Sequence, residues 1–270
     1  VDADAVAPDP RAATPADHVA EPDGDPLVRR DDEDRIAVIT LDSPANRNAL
    51  SQRLLAELAA HLRDLESDEE VHGVLLRSSQ RVFCAGADLK EAAHVDMTES
   101  ARAIIDVQRR IVALPVPVVT RLDGPVRAGG LGLVASSDLV VCRDDVTFAL
   151  TEVRLGLAAA TISIPLRARL ASRAASDWFL SGRQFDAAEA LEHGLVTRVV
   201  DEAGMDAAVT AVLDDLRAGA RQGLTAAKRI LTADLLADLD ARGEEMARVS
   251  GLLFHSELAQ ERMAAALRRS

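Results

Sequence analysis

Between residues 35 and 142, short runs rich in Val, Ile and Leu alternate with longer stretches whose apolar residues recur every three or four positions. The runs cover residues 35–41, 74–76, 115–120 and 139–142, and their β-branched composition reads as strand. A turn containing Pro44 and Asn46 follows the first run. Between the runs, Leu54, Leu55, Leu58, Leu62 and Leu65 fall on one face of a helix capped by Ser51, and Ile104, Ile105, Val107, Ile111 and Val112 lie on a second helix. Beyond Gly156 the pattern is mostly helical. Strands and helices in alternation, then helices, predict an α/β core with a helical C-terminal region.

Composition removes several functional classes. The formal charge of −13 disfavours nucleic-acid binding, which needs a basic face. No apolar run approaches the ~18 residues of a membrane span, and the N-terminus lacks the basic start and apolar core of a secretory signal. Cys84 and Cys142 form no CxxC pair, so two reduced, buried thiols in a cytoplasmic protein are expected. With one Trp, five Phe and no Tyr, the core is built mainly from Ala, Leu, Val and Ile, and recognition by aromatic stacking is disfavoured. Residues 1–34 hold Pro8, Pro10, Pro15, Pro22 and Pro26 with many Asp and Ala, and read as a flexible acidic tail. The expected organisation is that tail, a core over 35–203, and a helical region over 204–270.

Two small-residue segments carry the chemistry: Phe83-Cys-Ala-Gly-Ala-Asp-Leu-Lys90 and Gly124-Pro-Val-Arg-Ala-Gly-Gly-Leu-Gly132. Each lies where a strand gives way to a helix, and without bulky side chains the backbone N–H groups can approach a ligand. Two such donors aimed at one point form an oxyanion hole; either segment alone would read as a tight turn. Glu152 is a carboxylate within the otherwise apolar segment Phe148-Ala-Leu-Thr-Glu-Val-Arg-Leu-Gly156. Gly130-Leu-Gly132-Leu-Val-Ala135 spells a dinucleotide-binding GxGxxA, but Asp123 to Gly129 intervene after the strand, and Asp144 and Asp145 come too soon for the acidic partner. No GxSxG elbow of a serine hydrolase is present.

These two segments, Glu-x-x-Leu-Gly at 152–156, and Leu180-Ser-Gly-Arg-Gln-Phe-Asp-Ala-Ala-Glu-Ala-Leu-Glu-His-Gly-Leu-Val196 stand in the order and spacing of the crotonase (enoyl-CoA hydratase/isomerase) superfamily, which the chain resembles over roughly residues 35–265. The resemblance implies a spiral of ββα units, with C-terminal helices that pack across the interface of a homotrimer or dimer of trimers. It implies an acyl-CoA substrate, with coenzyme A as part of that substrate, no further cofactor and no metal. The backbone N–H groups of Ala87 and Gly129 are then expected to bind the thioester oxygen. Ala85, Gly86, Ala87, Asp88, Leu89 and Lys90 are expected to line the CoA channel, Ala85 near the adenine and Lys90 near phosphate. The six His are scattered without ligand spacing, and His94 and His255 are expected to be surface or core residues.

The chain departs from the family at Gly132, where hydratases commonly carry the first of two glutamates. Glu152 matches the second and is left as the catalytic carboxylate, with position 132 expected to face the same cavity. One carboxylate serves hydration if water bridges it to the carbon, because the proton that it removes is the one that it returns. It also serves a double-bond shift, and a decarboxylase needs mainly enolate stabilisation. The pattern Glu152-Val-Arg-Leu-Gly156-Leu-Ala, followed by Ile162-Ser163, resembles a bacterial subgroup that includes methylglutaconyl-CoA hydratases. An enoyl-CoA hydratase-like enzyme is therefore the leading expectation. An isomerase, a decarboxylase and a non-catalytic acyl-CoA-binding homologue are the alternatives. Arg127, beside the second segment, is either a structural residue or a reader of an acidic acyl group.

Overall fold

In the computed structural model, which describes residues 24–91 and 95–268, the β-branched runs pair into one six-stranded sheet. Its strands lie in the order β1 (Val28–Glu33), β2 (Ile36–Leu41), β3 (Gly73–Ser78), β4 (Val118–Leu122), β6 (Leu139–Arg143) and β9 (Arg198–Val200). All neighbours are parallel except β1, which runs antiparallel to β2. Parallel sheets are covered on both faces, and β2 shows how. Ala37, Ile39 and Leu41 face the main core with Leu54, Leu58 and Leu62 of α1 (Gln52–Glu66), whereas Ile36 and Val38 pack on Val209, Val212 and Leu216 of α7 (Met205–Ala218). Period-two alternation thus assigns one strand to two cores. Ser51 caps α1, its hydroxyl accepting from Leu54 N–H at 3.2 Å.

Strand β1 corrects the expected tail. Residues 1–23 lie outside the described residues, but Val28–Glu33 pairs with the whole of β2. Its sequence, Val-Arg-Arg-Asp-Asp-Glu, carries no apolar alternation because it is an edge strand, where charge is tolerated and discourages further pairing. What holds it is remote in sequence: the Glu57 carboxylate accepts from the N–H groups of Leu27 and Val28 at 2.6 and 3.0 Å. The run expected at 115–120 starts later, at Val118. Pro115 and Pro117 cannot donate to a ladder, and the Pro117 carbonyl instead accepts from Val74 N–H.

A second sheet of three short strands, β5 (Val126–Arg127), β7 (Thr147–Ala149) and β8 (Gln184–Asp186), stands beside the first. The scarce aromatics gather here. Trp178, on α5 (Ser172–Ser181), stacks on Phe185 of β8 with ring centroids 3.6 Å apart, and Phe185 lies 5.3 Å from Phe148 of β7. This stack fixes the strand whose end presents Glu152. Two short helices, α4 (Ser163–Arg169) and α6 (Ala187–Glu192), complete this half of the molecule.

The C-terminal region consists of α8 (Arg221–Phe254), 34 residues long, and α9 (Glu257–Leu267). α8 lies along α2 (Met97–Ala113), and its small residues bring the two axes close. A methyl group at Gly243 would sit 3.0 Å from Ile105 Cγ2. Near its start, Lys228 is 4 % exposed. Its Nζ donates to the carbonyls of Ile111 and Val116 at 2.8 and 3.0 Å and pairs with Asp138 at 2.8 Å. The ammonium group thereby serves one carbonyl in the last turn of α2, where positive charge is favourable, and one in the segment just beyond it. Replacing Lys228 by Met leaves Asp138 and both carbonyls without this partner, and unfolding in urea should reveal a loss of about 3 kcal/mol. Unchanged stability would show that Lys228 does not anchor α8.

Candidate active site

Three chain segments meet at the site and are fastened by their backbones. Leu50 N–H donates to Gly86 O at 2.7 Å, Ala85 N–H to Arg47 O at 3.1 Å, and Arg127 N–H to Cys84 O at 3.0 Å. Fully buried Asn48 locks the same crossing, its amide nitrogen donating to Ser78 Oγ and to the Phe83 carbonyl. Small residues are obligatory here. A methyl group at Gly130 would stand 2.7 Å from Cys84 Cβ, and Gly86 adopts φ +97° beside the Ala128 methyl group. Ala128 itself takes φ +45°, a left-handed conformation that L-residues seldom hold, immediately before Gly129.

That crossing presents two N–H groups to one pocket. Gly129 is the N-cap of α3 (Gly130–Ser136), and a methyl group placed on it would lie 3.8 Å from Ala87 N. Neither the Ala87 nor the Gly129 N–H is used in the backbone hydrogen bonds that hold the segments together. Both residues line a pocket of about 100 Å³ with Ala85, Ala128, Leu155 and Glu152. Further wall comes from α2, through Met97, Ala101 and Ile104, from the segment after Gly156, through Leu157 and Thr161, and from the end of α8, through Ser250 and Phe254.

Glu152 enters this pocket from a single 3-10 turn, Thr151–Leu155, which follows β7 and closes on Gly156 at φ +75°. Its Oε2 is buried without a hydrogen-bond partner. Burial opposes ionisation and raises the carboxyl pKa from 4.5 to about 7. A carboxyl group poised there takes up and gives back a proton near neutral pH.

The pocket opens through Ala85, Ala87 and Leu89, which also line a neighbouring groove of about 650 Å³. Asp88 and Lys90 line the groove alone, joined by Asn46 and Arg47. Gly86 lies in neither wall and instead supplies the turn between them. Gly132 is also outside the pocket. A methyl group there would point at Ile162 Cγ2, 2.5 Å away, and at Gln108 Nε2, 2.8 Å away, so the expectation that this position faces the Glu152 cavity is corrected.

Arg127 is structural: its guanidinium donates to Thr147 O, Thr147 Oγ1 and Gln184 Oε1, stapling β5 to β7 and β8. His94 lies outside the described residues, and His255 Nδ1 sits 2.7 Å from the carbonyl of Gly251 at the end of α8. Cys84 and Cys142 are buried free thiols, each pushed up to about 12 by burial.

Sequence reasoning missed Asn48, Ser250 and Gln108. Asn48 had a weak signal as an Asn after a proline turn; the other two are ordinary helix positions until α2 and α8 are packed together.

The enoyl-CoA hydratase/isomerase family model matches residues 31–268. The chain is 40% identical to an enoyl-CoA hydratase from Mycobacterium avium of known crystal structure, with a TM-score of 0.84 over 91% of this chain and 98% of that one. It is 30% identical over 234 residues to the mitochondrial enoyl-CoA hydratase domain-containing protein 3 of Rattus norvegicus, covering 85% of this chain and 77% of the relative. It is also 33% identical over 193 residues to a 4-chlorobenzoyl coenzyme A dehalogenase-2 from Arthrobacter, covering 68% of this chain and 70% of the relative. With its crossing of small-residue loops and its mixed α/β fold, the chain belongs to the enoyl-CoA hydratase/isomerase family.

Proposed function

We propose that the protein hydrates a short 2-enoyl-CoA thioester, with Glu152 as its acid/base group and the N–H groups of Ala87 and Gly129 as its oxyanion hole. The observation that carries this reading is the meeting, in one pocket of about 100 Å³, of a buried carboxyl poised near pH 7 with two backbone donors left out of the fold's own bonding. An apolar cavity of about 150 Å³ accepts a benzene molecule, so the smaller pocket suits an acyl chain of a few carbons. The CoA portion runs along the groove, where Arg47 and Lys90 supply positive charge for its phosphates. Coenzyme A is substrate here, and the chemistry asks for no further cofactor.

The reaction proceeds on the chain's own groups. Water attacks Cβ while Glu152 removes its proton, and the C=C electrons move to the thioester oxygen, where the Ala87 and Gly129 N–H groups hold the enolate. Protonated Glu152 then returns the proton to Cα, so that the elements of one water molecule have been added. Because one carboxyl acts in both steps, its pKa near the working pH is suited to both. A double-bond shift would use the same carboxyl without water, so a comparison of crotonyl-CoA with 3-butenoyl-CoA as substrates separates the two reactions. The exposed Ile230, Leu231 and Leu252 of α8 and Leu258 of α9 support assembly with further copies of the chain.

Glu152→Gln keeps shape and hydrogen-bonding capacity but cannot carry the proton. Turnover of crotonyl-CoA should fall at least ~10²-fold with little change in CoA-ester binding. In the wild type, kcat/KM should decline about tenfold per pH unit below pH about 7, as the carboxylate that receives the proton is lost. The stability effect has its own sign. The folded-state pKa is the raised one, so the burial cost grows as pH rises from 4.5 to about 7, and Glu152→Gln should be the more stable protein at pH 8. Near-normal turnover by the variant would remove Glu152 from the mechanism.

Gly132→Glu tests the departure from a two-glutamate site. With Ile162 and Gln108 within 2.8 Å of its first side-chain carbon, the new glutamate should lower the melting temperature and reduce hydration. Retained stability with faster hydration would mean that the slot is open to a second carboxylate.

A further inference from the structure

Beside Glu152, the pocket wall holds a second buried polar side chain that the fold leaves unused. Ser250, near the end of α8, is 6 % exposed, lines the pocket and has no hydrogen bond within the protein among the described residues. Other helix hydroxyls return to a carbonyl one turn back: Thr232 Oγ1 donates to Lys228 O at 2.9 Å, and Ser176 Oγ to Ser172 O at 3.1 Å. Ser250 makes no such bond. Nor is its hydroxyl sealed inside the protein, as both polar atoms of the Gln108 amide are. Unbonded and unsealed on a buried wall residue, it adjoins the pocket.

The fold has no need of a hydroxyl there. Ala247, one turn earlier on α8, is fully buried as alanine. Alanine at 250 would favour the helix and leave no buried hydroxyl to desolvate. The α2 and α8 wall around Ser250, made by Met97, Ala101, Ile104 and Phe254, is otherwise apolar. Charge is the second constraint. No Lys, Arg or His is among the described residues that line the pocket, and the Arg127 guanidinium is committed to Thr147 and Gln184. A carboxylate on the acyl group would therefore be buried without a counter-ion, in the same pocket as Glu152.

Resting on the reading of this pocket as the acyl site, we infer that Ser250 is a specificity-determining residue. It selects a short acyl group that carries an uncharged hydrogen-bonding oxygen, and the site rejects acyl carboxylates. A serine hydroxyl both donates and accepts, so it can pair with an alcohol or a ketone. The two ends of the acyl group are then held by different elements: the thioester oxygen by the loop crossing at Ala87 and Gly129, and the second oxygen by α8.

Three saturated four-carbon esters test this without turnover, because they differ only at C4. Butyryl-CoA ends in a methyl group, 4-hydroxybutyryl-CoA in a hydroxyl and succinyl-CoA in a carboxylate. In calorimetric titrations the wild type should bind 4-hydroxybutyryl-CoA about tenfold more tightly than butyryl-CoA, and succinyl-CoA at least about tenfold more weakly than either. In Ser250→Ala the preference for the hydroxyl ester should fall to about unity, and Ser250→Cys, with a weaker donor of similar size, should lose most of it. Thr161→Val removes another hydroxyl-bearing side chain from the wall and should keep the preference. Equal binding of the methyl and hydroxyl esters by the wild type, or tightest binding of succinyl-CoA, would overturn the assignment. So would a preference that survives in Ser250→Ala or vanishes in Thr161→Val. Since binding alone is read, a wild type that shows the preference yet does not hydrate crotonyl-CoA would sink the hydration reading and leave this inference standing.

Discussion

The hydrogen bonds from Leu50 N–H to Gly86 O and from Arg127 N–H to Cys84 O hold together three segments that arise far apart in the sequence. Their backbones approach closely only because Gly86 and Gly130 have no side chains to separate them. Once that crossing is made, Ala87 and Gly129 must face the same space, and the start of α3 is aimed at it. The sheet supplies rigidity behind the crossing, since β3 and β4 lead into the two loops and are buried on both faces. The strained φ of Ala128, held by an N–H bond to Ala149 O, sits where the two loops touch. A donor pair fixed in this way would need little reorganisation if charge developed on a bound oxygen, as the proposed oxyanion hole requires.

The second requirement is an environment that keeps a carboxyl group undecided between its two protonation states. Glu152 meets it because the aromatic stack of Trp178, Phe185 and Phe148 fixes the end of β7, while Leu155, Leu157, Met97 and Phe254 close an apolar shell around the turn that follows. Exclusion of water raises the carboxyl pKa and also strengthens any hydrogen bond to the Ala87 and Gly129 N–H groups, since both effects follow from low local polarity. The end of α8 contributes to that shell. The C-terminal region therefore completes the pocket within a single chain, apart from any part that it plays in assembly.

Much of this was legible in the residues. The β-branched runs located β2, β3, β4 and β6, and the Leu face of α1 located its buried side. The small-residue segments located the crossing, because a chain has few other reasons to place Gly and Ala at two successive strand ends. β1 was illegible: its charged sequence suits an edge, and its anchor, Glu57, is a helix residue about thirty positions away. Gln108 and Ser250 were illegible for a related reason, since their surroundings exist only after α2, α3 and α8 pack. The orientation of residue 132 was misread because one turn of a short helix separates the pocket wall from the interior behind it. At Arg127, sequence left two roles open, and the carbonyl, hydroxyl and amide oxygens around its guanidinium settle the structural one.

If the Ala87 and Gly129 N–H groups polarise a thioester carbonyl, the infrared stretch of that carbonyl will show it. Crotonyl-CoA carrying ¹³C at the thioester carbon can be measured by isotope-edited difference spectroscopy when bound to the wild type and to Gly129→Val. In the latter, the branched side chain would collide with Leu50 and crowd the Ala87 N–H. The stretch in the wild type should lie clearly below that of the free thioester in water, and should return toward the free value in Gly129→Val with the ligand still bound. A bound carbonyl whose frequency matches the free thioester in both proteins would contradict it.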